Sequence, residues 1–140
     1  MLSENPVARL TELIAQRMQV DLTGVSIVID HPKLYGSFGL MDFDSMELGI
    51  NSSVPTRERL IHTLVHELTH LEQLHRGDLK WASGRIELFW QGRPLRSYGY
   101  GLFMGMEAYV QLPWEADANA RADWFLAEVY PKDLELQEAA

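Results

Sequence analysis

Val65-His66-Glu67-Leu68-Thr69-His70-Leu71 is the stretch that decides how this chain is read. Two histidines at i and i+4 stand one turn apart on one face of an α-helix, so their imidazoles can converge on a single point. The helix that would carry them is well marked. Ser52-Ser53-Val54-Pro55-Thr56 supplies helix-start chemistry, and Gly77 stands at the usual stop position after Arg76. Between those limits Leu60, Ile61, Leu64, Leu68 and Leu71 form an apolar stripe. The segment therefore buries one face and offers His62, His66 and His70 on another. Imidazole nitrogens so arranged suit zinc, which takes nitrogen ligands at about 2.0–2.1 Å. Glu67, one position after the first histidine, is angled toward a metal-bound water rather than the metal, as a general base must be.

A catalytic zinc keeps three protein ligands and an open position for water. The 140 residues include no cysteine, so the third ligand must be His, Asp or Glu. One metallopeptidase pattern places a further histidine ten residues after the first, following a glycine. Here Arg76 and Gln73 occupy those positions, and His75 is off by one and points away. The other solution is an acid on a second helix. Leu112-Pro113-Trp114 opens such a helix, with proline suited to its first position and Ala116, Ala118, Ala120 and Ala122 favouring its continuation to about Tyr130. Glu115 lies in its first turn, and Asn119, four residues on, shares its face and can hydrogen-bond a zinc-bound histidine. Asp117, nearly opposite Glu115 on the helix, is the alternative ligand. Tyr98, Tyr100, Tyr109 and His31 are open candidates for the donor that stabilises an oxyanion.

Outside the motif, Pro6 to Val20 has helical apolar spacing at Val7, Leu10, Leu13, Ile14 and Met18, with Asn5 as its cap. Val25 to Ile29 reads as a buried strand, Leu34 to Met41 as extended, Asp42 to Ser45 as a turn and Met46 to Asn51 as a returning strand. Arg85 to Trp90 is a further strand candidate, turning at Gln91-Gly92-Arg93-Pro94. The net charge of −8, from 20 acidic against 12 basic residues, argues against nucleic-acid binding, which needs clustered Lys and Arg. Apolar runs are too short to span a bilayer. The N-terminus lacks the basic-then-apolar pattern of a secretory signal. These features point to a single cytoplasmic domain over residues 1–140.

His66-Glu67-Leu68-Thr69-His70 followed by Glu115-x-x-x-Asn119 resembles the gluzincin branch of zinc peptidases. Trp114-Glu115-Ala116-Asp117-Ala118-Asn119-x-x-Ala122 also resembles the glutamate helix of ImmA/IrrE-type peptidases. Phe89-Trp90-Gln91-Gly92 with Leu112-Pro113-Trp114-Glu115 is similar to small zincin-like proteins encoded by bacteriophages. The resemblance implies an α+β, zincin-like fold: an N-terminal backing helix, a small sheet of about three strands, the His-Glu-x-x-His helix and a C-terminal glutamate helix. It implies one Zn2+ per chain, metalloendopeptidase activity and a peptide or protein substrate lying along an edge strand, expected at Met46 to Asn51. The competing expectation is a zincin-fold regulatory or binding protein with little proteolysis, against which Glu67 argues, since a structural metal needs no base. A metal-free interaction module using the aromatic residues between Trp81 and Trp114 is a third. Gly92 to Gly105 acting as a lid, or a fold-back of Asp133 to Glu138, are ways such an enzyme is held inactive.

Overall fold

A computed structural model describes residues 5–82, 87–94 and 111–139. The chain is α+β, and its central element is the motif helix. Helix α1 (Pro6–Met18) starts where Asn5 Oδ1 accepts the Val7 and Ala8 N–H groups at 3.0 and 3.1 Å. This satisfies donors that the first turn leaves unpaired. Strands β1 (Ser26–Ile29), β2 (Gly39–Asp42) and β3 (Glu47–Ile50) form a sheet in the order β1-β3-β2. β1 runs parallel to β3, and β2 runs antiparallel to it with Gly39 opposite Ile50 and Asp42 opposite Glu47. The expected edge strand is thus corrected: β3 is paired on both sides, and β2 is an edge among the described residues. The tight connection between β2 and β3 pairs them directly, and the longer loop after β1 lets β3 insert between β1 and β2.

Helix α2 (Arg57–Arg76) is capped by Thr56, whose Oγ1 accepts the Arg59 N–H at 3.1 Å, and stops at Gly77 in the left-handed region at φ 86°. Its stripe of Ile61, Leu64, Leu68 and Leu71 is fully buried. The stripe packs into a core with Leu10, Leu13 and Ile14 of α1, Leu48 and Ile50 of β3, and Phe125 and Leu136 from the C-terminal region. Each such side chain contributes about 1.5–3 kcal/mol by leaving water.

A second sheet lies after α2: β4 (Leu79–Ala82), β5 (Glu87–Trp90) and β6 (Arg93–Pro94), all antiparallel. β5 and its turn follow the sequence expectation; β4 was not anticipated. Helix α3 (Pro113–Trp124) begins with Pro113 in its first turn and continues into a π-helical turn at Phe125–Val129 and a 3-10 turn at Tyr130–Lys132. Leu112 and Trp114 are buried with Leu79 and Trp90, which pins the start of α3 against the second sheet. Helix α4 (Leu134–Glu138), capped by Asp133, packs against the main core. It docks through Leu136 into the core and through Arg57 and Arg17, so here the tail serves as a structural element. Among the described residues, no helix is long and apolar enough to cross a membrane.

Candidate metal centre

α2 and α3 are closely packed, and two imidazole nitrogens meet the two oxygens of one carboxylate between them. His66 Nε2 lies 3.0 Å from Glu115 Oε2, His70 Nε2 lies 3.1 Å from Glu115 Oε1, and the two Nε2 atoms are 3.2 Å apart. Ligands at about 2.0–2.1 Å around a tetrahedral zinc stand roughly 3.3 Å from one another, so the triangle is close to the size zinc requires. The two rings meet edge to face, with centroids 4.8 Å apart.

The other ring nitrogens decide whether those Nε2 atoms have lone pairs to offer. His66 Nδ1 is 2.9 Å from Asn119 Oδ1, and His70 Nδ1 is 2.9 Å from Gln73 Oε1. An amide oxygen only accepts, so both Nδ1 atoms donate. In the neutral rings the proton then sits on Nδ1, and Nε2 is free to coordinate. The donor set of two imidazoles and one carboxylate, oriented in this way, fits zinc.

Glu67 belongs to the same group but stands outside the triangle. Its Oε1 is 3.9 Å from His66 Nε2, and the Met41 backbone N–H donates to its carboxylate. One helix position turns Glu67 about 100° from His66, which aims it at β2. Burial pushes the Glu67 carboxyl up, and Glu115 adds to this, outweighing the two histidines and the Met41 bond. Burial alone would push His70 down. The hydrogen bond from Glu115, the charges of Glu67 and Glu115 and the bond to Gln73 outweigh it and raise the imidazolium to about 9. Burial alone would raise Glu115, but the hydrogen bonds from His66 and His70 hold its carboxyl well below the usual range. The metal-free centre is therefore an ion-paired cluster in which the proton held by His70 stands in the place of a cation.

β2 forms one wall. A Cβ on Gly39 would lie 2.5 Å from Thr63 Cγ2 and 3.0 Å from Glu67 Cγ, so only glycine lets the strand come this close to α2. Asn51 N–H donates to Phe38 O at 2.8 Å. Because paired and unpaired positions alternate in an antiparallel ladder, Gly39 and Met41 turn their backbone groups away from β3, and the Met41 N–H so turned is the one that reaches Glu67.

Asp117 is not with the ligands. Its Oδ2 accepts a bond of 2.9 Å from Gln73 Nε2, and the side chain is 47% exposed. Gln73 itself escaped the sequence reading, which tested that position only against a histidine pattern. The available signal was its i+3 spacing from His70. His62 lies one turn before His66 and pairs with Asp123 at 3.0 Å. Tyr98, Tyr100 and Tyr109 lie outside the described residues, as does most of the Gly92 to Gly105 stretch.

His31 is on the wrong side of the sheet for an oxyanion. A Cβ on Gly49 would lie 2.6 Å from His31 Cβ, on the face opposite Leu48 and Ile50, which face α2 in the core. There His31, Asp42 and Glu47 form a second cluster of metal-ligating residue types. Its hydrogen bonding is the reverse of the first. His31 Nδ1 accepts the Lys33 N–H at 3.1 Å, so Nε2 carries the proton and donates to Glu47 at 3.0 Å. The Lys33 ammonium already neutralises Asp42 at 3.1 Å. This is a hydrogen-bonded brace, not a donor set awaiting a cation.

Comparison of the chain with protein-family models, with curated proteins and with solved structures found no match in any of the three.

Proposed function

We propose that this chain is a zinc-dependent metalloendopeptidase of zincin-like, gluzincin plan, with His66, His70 and Glu115 as ligands and Glu67 as general base. The observation that carries the reading is the tight His66–His70–Glu115 triangle with both Nδ1 atoms tied to amide oxygens. Bound zinc would supply Lewis-acid polarisation of the scissile carbonyl and an acidified water. The rest is done by the chain. Glu67, buried and of raised basicity, takes a proton from the attacking water and returns it to the leaving amine. The Met41 N–H fixes the direction of that carboxylate. The edge of β2, unpaired among the described residues, offers the backbone groups of Gly39 and the Met41 carbonyl to an extended peptide, the role the sequence assigned to Met46–Asn51.

The test is elemental analysis of purified protein, followed by hydrolysis of an unfolded protein such as casein. Wild type should carry about one zinc per chain, with His66→Ala and Glu115→Ala losing it and Asp117→Ala retaining metal. Glu67→Gln should keep zinc and lose at least about a hundredfold in rate. No zinc in wild type sinks the whole reading. Zinc with no hydrolysis leaves a metal-holding binding protein.

A further inference from the structure

We propose that Gln73, held by Asp117, is the positioning residue of the centre: it selects the metal-binding tautomer of His70 and, through the same amide, anchors the start of the glutamate helix. The inference rests on His70 being a metal ligand, the reading given above, and extends it to two residues that touch no metal.

The geometry of one side-chain amide carries the argument. Gln73 is fully buried on α2. Its Nε2 donates to Trp114 O at 3.0 Å and to Asp117 Oδ2 at 2.9 Å. Both partners are pure acceptors, so the amide cannot flip: the NH2 end must face them, and Oε1 must face His70 Nδ1 at 2.9 Å. The imidazole is thereby held to donate from Nδ1, so the proton it gives up to a metal is the one on Nε2, facing Glu115. An inverted amide would set Oε1 against the Trp114 carbonyl and the Asp117 carboxylate, neither of which has a proton to share.

The second consequence lies on α3. Trp114 immediately precedes Glu115, and its carbonyl is one of the two acceptors. The amide that orients His70 therefore also fixes the backbone next to the third ligand. Asp117, the acid that sequence reasoning weighed as a ligand, acts instead through Gln73. It sits two residues beyond Glu115, so the helix turns it away from the metal and toward the amide.

The arrangement predicts an unusual pattern of loss and rescue. Gln73→Met removes both functions while keeping length and volume. Zinc affinity, read by competition with a chelator of known affinity, should fall about 10–100-fold. Gln73→Glu still accepts from His70 but sets a carboxylate against Asp117, so affinity should fall as well. Adding Asp117→Asn to Gln73→Glu gives the new carboxylate a donor and should recover much of that loss. Asp117→Asn alone should be nearly neutral, since its amide oxygen can still accept from Gln73. Long-range 1H–15N spectra of His70 supply a readout that needs no metal: in chelator-treated protein at pH 10 the Nδ1–H tautomer should be more populated in wild type than in Gln73→Met. Thermal melts of the metal-free variants show whether each is folded.

Folded Gln73→Met that binds zinc as tightly as wild type and keeps the wild-type population of the Nδ1–H ring overturns the proposal. So does a Gln73→Glu defect that Asp117→Asn fails to relieve. Wild type that takes no zinc overturns the metal centre alone, and the tautomer spectra then decide the clamp by themselves.

Discussion

At the scale of single residues the centre is a contest between protons and a cation. Without metal, His70 holds its proton to about 9, well above the ordinary 6.5, because Glu115 and Glu67 face it in a buried place. A group whose folded pKa is raised stabilises the fold fully below its unfolded value and loses that contribution as pH rises through the folded one. The melting temperature of chelator-treated protein should therefore fall between pH 6.5 and about 9 by more than that of His70→Ala, which lacks the group. Zinc needs the neutral ring, so its affinity should rise over the same range, with proton release on binding. Calorimetry across that range checks both signs. A metal-free wild type whose melting temperature follows that of His70→Ala, or zinc affinity that does not rise with pH, would contradict the ion-paired cluster.

At the scale of elements the close approach of β2 to α2 decides where Glu67, the proposed general base, points. Gly39→Ala would bring a methyl group into Thr63 Cγ2 and Glu67 Cγ, displacing the strand or the base. Overpacking of this kind costs about 1–3 kcal/mol, and hydrolysis should fall further than the stability loss alone explains. Thr63→Ser removes the nearer methyl and should restore part of both. Equal activity in Gly39→Ala and wild type would mean that β2 does not set Glu67. The sequence carried the ingredients of this wall unevenly. His66, His70, Glu115 and Asn119 could be placed on shared faces because helical spacing states which residues stand together. The order β1-β3-β2 could not be read, because alternation along a strand says which way its side chains face and nothing about its neighbours. β4 was missed because the glycine- and aromatic-rich stretch from Lys80 to Met106 has no clear period. Gln73 was missed because its i+3 spacing from His70 does not by itself say that the amide is buried between two helices.

At the scale of the whole molecule, two packing centres hold the site from opposite ends. The main core runs from α1 through α2 to Leu136, and the smaller one, around Trp90 and Trp114, seats the first turn of α3. If the ligands are independent of the distal core, metal and core should contribute separately to stability. Leu136→Ala empties a fully buried site and should cost about 2–5 kcal/mol in chemical denaturation. Metal binding adds stability by mass action, about 4 kcal/mol at a free zinc concentration a thousand times Kd. That increment should survive intact in Leu136→Ala, since distant sites add, and should vanish in His66→Ala. Trp114→Ala should behave differently, because Trp114 adjoins Glu115 and its carbonyl receives Gln73. It should lower both the metal-free stability and the zinc increment. Denaturation curves of wild type and the three variants, each with and without zinc, separate these cases. An increment equally reduced in Leu136→Ala would mean that the core and the metal centre form a single cooperative unit, with the C-terminal helix part of what shapes the site.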